Sequence, residues 1–268
     1  MDRGEADGQA KKRRMGVFEK VLIAVIVVCL LVVGAIGLQY LVQSQSYSRL
    51  ADEVVQFDEE DLADGGELAH LTLDWDALRA ECPDIVGWVT VPDTVISYPI
   101  VQGPDNEYYL HRSYDGTTSW ASTGGTIFLD ATNAADFSNS NNVLYGHHMN
   151  DGSMFAEIAS WAGQEAFDEH RTVYVLTPTM NYRLRTFAAV RASGSEAIVQ
   201  TAFGTAEDFA AYVGDKVSRS SVTVDDVDLD NIGFSKMFML VTCEYTQNDG
   251  RECICALVSE QAVPVSQG

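Results

Sequence analysis

Residues 236–258, KMFMLVTCEYTQNDGRECICALV, hold two apolar runs, 236–242 and 251–258, on either side of a polar loop from Glu244 to Gly250. Short apolar runs bounded by turn residues read as the two strands of a hairpin. Runs 172–177 and 182–192 flank Pro178-Thr179-Met180-Asn181 in the same way. Further upstream, 86–91 and 95–101 flank Pro92-Asp93-Thr94, where Pro presets φ for a turn. Runs 126–129 and 143–145 complete a set of eight short strands. Eight strands with few helices predict a mainly β protein, a closed or nearly closed eight-stranded β-barrel, in preference to a layered α/β fold.

Helical signals interrupt the strands. Thr205-x-x-Asp208 is a capping-box start, and Phe209, Tyr212, Val213, Lys216 and Val217 follow at i, i+3, i+4, i+7, i+8 spacing. Ser153 can cap a helix through Met154–Ile158, with Trp161 extending its apolar face. Asp74 or Asp76 can cap a short helix through Leu78-Arg79-Ala80 that Pro83 would end.

The chain has 268 residues, 17 basic against 39 acidic, for a formal net charge of -22. Such acidity speaks against nucleic acid as a partner, because phosphate binding needs a basic surface. The charge is unevenly spread: residues 1–20 are net basic, with Lys11-Lys12-Arg13-Arg14 as a cluster, and the body is acidic. Between them, 21–38 carries no charged residue. At helical rise it spans roughly 27 Å, close to a bilayer's hydrocarbon thickness. A core helix would show an amphipathic stripe, which this run lacks. A cleaved signal peptide has a shorter apolar region, although Ala35-Ile36-Gly37 would pass for its cleavage site. The length favours a single-pass anchor, with residues 1–20 cytoplasmic, 21–42 crossing the membrane and the acidic body outside. Residues 43–72, polar and acidic, read as an extracellular stalk, 73–260 as the folded domain and 261–268 as a tail.

Of five cysteines, Cys29 lies in the apolar run. Cys82, Cys243, Cys253 and Cys255 form no CxxC pair and no disulfide framework, and the five histidines show no ligand spacing, so no structural metal is expected. Cys253 and Cys255 point to the same face of a strand and do not pair with each other. His70, His111 and His170 stand isolated in polar surroundings and read as surface residues, and Tyr98, Tyr108 and Tyr109 read as packing.

Cys243 ends the run Met237–Thr242, either as buried packing or as a nucleophile at a strand end. Arg251 opens the next strand, so the hairpin can bring its guanidinium beside the thiol. His147 follows another strand end in Tyr145-Gly146-His147-His148-Met149. A nucleophilic thiol needs a proton partner and help with thiolate character. Arg, always charged, suits an oxyanion or a substrate carbonyl.

Several segments in order resemble the class B sortases, the membrane-anchored cysteine transpeptidases of Gram-positive cell envelopes. They are Pro83-Asp84-Ile85-Val86-Gly87-Trp88-Val89, Ser97-Tyr98-Pro99-Ile100-Val101-Gln102-Gly103, Asp105-Asn106-Glu107-Tyr108-Tyr109-Leu110, Gly125-Thr126-Ile127-Phe128-Leu129-Asp130, Tyr145-Gly146-His147-His148-Met149, Gly152-Ser153-Met154-Phe155, and Leu240-Val241-Thr242-Cys243 with Arg251 after it. The resemblance covers about Leu73 to Val258 and implies the family's eight-stranded barrel with flanking helices behind an N-terminal transmembrane helix. It implies catalytic roles for His147, Cys243 and Arg251, and it points to Thr242 and Glu244 as substrate contacts. The implied reaction is attack by Cys243 on the threonine carbonyl of an LPxTG-like sorting signal in a secreted protein. The acyl group would pass to an amine of a peptidoglycan precursor or a pilin lysine, without metal or cofactor. Val241 stands where the family commonly has Ser, removing a hydroxyl near the substrate threonine, and Cys82 stands where a polar residue is usual. Two alternatives stay open: a membrane-anchored cysteine endopeptidase using water as acceptor, and a non-catalytic barrel that serves as a binding module.

Overall fold

The computed structural model describes residues 16–58, 60–62, 66–118, 124–194, 196, 198–233, 235–244 and 250–265. The chain divides into two compact units between Val42 and Gln43.

Helix α1 runs over Val17–Val54. The most apolar 18 residues of its segment Val17–Leu38 have a mean hydropathy of 3.3 and none of them is buried. The 22 residues of the segment extend over roughly 33 Å, enough to cross a hydrocarbon layer. The Lys11–Arg14 cluster lies outside the described residues.

The second unit is a barrel of β1 (Ile85–Thr90), β2 (Ser97–Val101), β3 (Ile127–Leu129), β4 (Asn141–Tyr145), β5 (Thr172–Leu176), β6 (Asn181–Ser193), β7 (Met237–Glu244) and β8 (Gly250–Ala262). The strands close in the order β1-β2-β3-β4-β7-β8-β6-β5. Antiparallel β1 and β5 make the closure, Trp88 opposite Leu176. Closure leaves no free sheet edge. Two neighbouring pairs, β2/β3 and β4/β7, are parallel.

The unbroken apolar run of β7 follows from burial on both faces. One set of side chains, Met237, Met239 and Val241 with Cys253 and Cys255 of β8, forms a cluster with Phe209 and Val213 of α4 (Ala206–Arg219). The alternate set, Phe238, Leu240, Ile254 and Ala256, is fully buried on the other face. Thr205 starts α4 with the expected box: its hydroxyl accepts from the Asp208 N–H and the Asp208 carboxylate accepts from the Thr205 N–H, both at 3.1 Å. Asp74 caps α2 (Trp75–Glu81) by accepting from the Ala77 N–H at 2.9 Å.

The structure adds detail to two expectations and departs from a third. Residues 43–72, expected as a helical or loose stalk, are helical through Val54 and carry packed side chains: Tyr47, Leu50, Val54, Leu62, Leu68 and Leu71 are buried. Asn181 holds the Leu68 and Leu71 carbonyls at 2.9 and 2.7 Å, and Val55 bridges Leu73. Residues 63–65 lie outside the described residues. At the other end β8 continues through Ala262, and the Val265 N–H reaches the Ala69 carbonyl at 2.9 Å, so the expected tail is partly strand. Ser153 does not cap a helix. Its hydroxyl donates to Asp151 at 2.6 Å, and Met154 takes a positive φ of 58° with its N–H on the Tyr98 hydroxyl. Those commitments delay helix until the 3-10 turn at Glu157–Ala162, followed by α3 (Gln164–Glu169).

Candidate active site

Strand pairing decides which chain ends meet. Parallel β4 and β7 align Tyr145 with Val241, and the Gly146 N–H continues the ladder to the Val241 carbonyl at 3.0 Å. His147 follows just past this end of β4, where its carbonyl turns to the Phe155 N–H, and Cys243 lies two residues beyond Val241 on the neighbouring strand. Across the antiparallel β7/β8 pair, Cys243 is directly opposite Arg251. The three expected residues therefore gather at one end of three adjacent strands. For Cys243 and Glu244 only the backbone is described, so the expected contact of the Glu244 side chain lies outside the description, as do residues 245–249.

The ring of His147 is half-buried, and its Nε2 lies 2.6 Å from the Leu110 carbonyl. A carbonyl only accepts, so Nε2 carries the proton and Nδ1 is the basic nitrogen of the neutral ring. His111 stacks on this imidazole at 5.9 Å between centroids. Burial lowers the His147 pKa below its ordinary 6.5, the Leu110 bond opposes that shift, and His111 reinforces it. The unfolded chain thus takes up a proton that the folded one refuses. The group's contribution to stability is complete above about pH 6.5 and is lost as pH falls through the folded value. We expect wild-type protein to lose more thermal stability than His147→Gln between about pH 7 and about pH 5, measured by calorimetry at both pH values.

Around this end, Asp130 is a buried carboxylate fully engaged with neighbours. It accepts from Thr132 N–H and hydroxyl at 2.8 and 2.6 Å, from Asn106 at 2.9 Å and from the Tyr145 hydroxyl at 3.1 Å. It therefore ties the turn after β2 to the last residue of β4. Burial and the Asp130 charge hold the Tyr145 phenol protonated, and the Arg251 charge, near enough to act on the same phenol, opposes that shift. Among the described residues Arg251 forms no ion pair, so its guanidinium is not committed to a carboxylate there.

Thr242 is only 2 % exposed and its register partner is the fully buried Glu252. Alternation places it on the sheet face opposite Val241, so its hydroxyl is not part of the face that position 243 shares. Any contact with a peptide there falls to its backbone. Cys82, Cys253 and Cys255 are buried free thiols, the last two pushed up by burial, with Cys253 at about 12.

The residue types alone gave no sign of Leu110, because a main-chain carbonyl has no signature in sequence. His111 is exposed as expected but not isolated. His170 is also not isolated, since it stacks on Trp161 at 5.3 Å and lies 3.5 Å from Glu157. Gly146 has a steric reason: a Cβ there would lie 2.6 Å from the Phe155 ring and against Ile127, both core residues. Gly146→Ala is expected to cost about 1–3 kcal/mol by overpacking and to displace His147, seen as a lower melting temperature with reduced turnover.

No protein-family model matches the chain. Over 166 residues it is 36% identical to Sortase B of Listeria monocytogenes, a match that covers 62% of this chain and 65%, just under two thirds, of that protein. Among solved structures, sortase B of Clostridium perfringens superposes with a TM-score of 0.63 at 28% identity, covering 69% of this chain and 99% of that one. A Staphylococcus aureus sortase B-substrate complex gives a TM-score of 0.69 at 23% identity over 83% of this chain and 99% of that one, which shows a shared fold.

Proposed function

The chain being a homologue of sortase B, we propose that it is a membrane-anchored cysteine transpeptidase of that kind, with Cys243 as nucleophile, His147 as proton carrier and Arg251 as the cation for the developing oxyanion. The observation that supports this reading is the pairing of Cys243 with Arg251 across β7 and β8, with β4, which leads into His147, paired to β7 up to Val241. The apolar helix Val17–Leu38 supports an anchor within 21–42, and the basic cluster Lys11–Arg14 before it supports a barrel outside the cell. Substrates are secreted proteins with an LPxTG-like sorting signal, and acceptors are amines of peptidoglycan precursor or pilin lysine.

The chemistry follows from the resting state. Nε2 is occupied by Leu110, so the proton of the Cys243 thiol passes to Nδ1 of His147 as sulfur attacks the threonine carbonyl. Arg251 holds the oxyanion of the tetrahedral adduct. When the carbon–nitrogen bond breaks, the imidazolium returns its proton to the departing amine, leaving a thioester. Burial makes that imidazolium a readier acid than free histidine, which suits protonation of an amine. The acceptor amine then attacks the thioester and gives its proton to Nδ1. The carbon–sulfur bond breaks, and the thiolate recovers a proton from the imidazolium.

The test is incubation of the full chain in detergent with a panel of sorting-signal peptides, with and without a glycyl or lysyl amine, read by mass spectrometry. The expected result is an amide product whose yield rises with amine at the expense of the free acid. Free acid alone at every amine concentration would replace transfer with endopeptidase activity.

A further inference from the structure

Tyr47 lies near the end of α1, only 5 % exposed, in a segment that the sequence reads as stalk. Its hydroxyl is 2.9 Å from the Gly125 carbonyl and 2.9 Å from the Thr126 hydroxyl. Ser113 and the Tyr114 backbone lie near enough to the same phenol to lower its pKa. Thr126 in turn donates to the Arg112 carbonyl at 2.9 Å, and its N–H holds the Tyr109 carbonyl at 3.2 Å. One phenol thus joins both ends of the chain between 110 and 126.

That base is pressed against the carbonyl which orients His147. Gly125 has φ +51°, and a Cβ there would come within 2.5 Å of the Leu110 oxygen. The backbone of Gly125 therefore backs the same oxygen that accepts from His147 Nε2. A second route runs through the ring of Tyr47, edge-on to Tyr98 at 5.6 Å. Tyr98 takes the Met154 N–H, Met154 bridges His148, and the Phe155 N–H holds the His147 carbonyl at 3.0 Å.

The geometry points to Tyr47 as a positioning residue for His147, its hydroxyl closing the base of the chain that presents the Leu110 carbonyl. The inference rests on the reading of His147 as proton carrier. The end of α1 is then part of the support of the site. Burial pushes the Tyr47 phenol up to about 12, so it remains a donor at every working pH.

The experiment compares wild type, Tyr47→Phe and Thr177→Ala, each as the full chain in detergent with histidine nitrogen-15 labelled. Tyr47→Phe keeps the ring against Tyr98 and Tyr114 and removes only the hydroxyl. Thr177→Ala is a stability control in the β5/β6 turn, where the threonine hydroxyl donates to the Met180 carbonyl at 2.7 Å. The readouts are solvent exchange of the His147 Nε2 proton by NMR and the separate kcat and KM for peptide cleavage. The expected result is exchange about tenfold faster in Tyr47→Phe and kcat lower by about tenfold with KM unchanged, while Thr177→Ala matches wild type. Unchanged exchange in Tyr47→Phe, or the same acceleration in Thr177→Ala, overturns the proposal. Faster exchange with undiminished turnover upholds the brace and overturns the proton-carrying role of His147 instead.

Discussion

Cys243→Ala is expected to leave no acyl-enzyme detectable by mass spectrometry and to lower kcat/KM for a sorting-signal peptide by at least about 10⁴-fold. The size of the effect follows from the burial of the other thiols of the barrel among the described residues. Cys253 and Cys255 sit on the same strand pair but are buried beneath α4, where burial raises their thiols and withholds the thiolate. Cys82 is likewise buried, 3.8 Å from the Tyr109 hydroxyl. A small alkylating reagent on native protein should therefore mark Cys243 and spare those three. If Cys243→Ala retained the thioester, or if the reagent marked a buried thiol first, the assignment of the nucleophile would be wrong.

Arg251→Ala is expected to lower kcat by about 10²–10³-fold, the usual cost of removing a donor aimed at an oxyanion. Arg251→Lys keeps the charge on a flexible stem and loses the planar fork, so it should recover only part of that loss. The cross-strand pairing with Cys243 fixes the backbone of Arg251 in either variant, which separates the chemistry of the side chain from its placement. The decisive comparison is the split between kcat and KM. A loss confined to KM would make Arg251 a ground-state peptide contact and would remove it from transition-state stabilisation.

The strands were readable because their burial is two-sided. Met237–Val241 and Val173–Leu176 are apolar without interruption, since the barrel fills one face and covering elements take the other. Helix α4 announced itself through Thr205 and Asp208, two side chains that each cap the other's backbone. The region 153–169 was harder. Met154, Phe155, Ile158 and Trp161 are all buried, but the Met154 backbone is spoken for by Tyr98, so the apolar spacing of a helix there serves a turn. The supposed stalk concealed a signal that could have been found: Tyr47, Leu50 and Val54 stand at i, i+3 and i+7, a buried stripe diluted by polar neighbours. At the site, the positions of His147, Cys243 and Arg251 followed from strand ends. Their setting did not, because Leu110 acts through its backbone and Tyr47 lies 78 residues from the glycine it braces.

The parallel pairing of β4 with β7 has a temporal consequence. Asn141 must wait for Met237 before that ladder can form, and β8 follows later still. Closing so long a loop costs entropy before any contact rewards it, and such non-local pairing is slow. A chain delivered from its N-terminus exposes His147 long before the strand carrying Cys243 exists, and Arg251 arrives last. No fragment that begins at the N-terminus and stops short of β8 holds all three groups. A half-made molecule therefore lacks the assembled strand ends, which come together only when β8 pairs with β7.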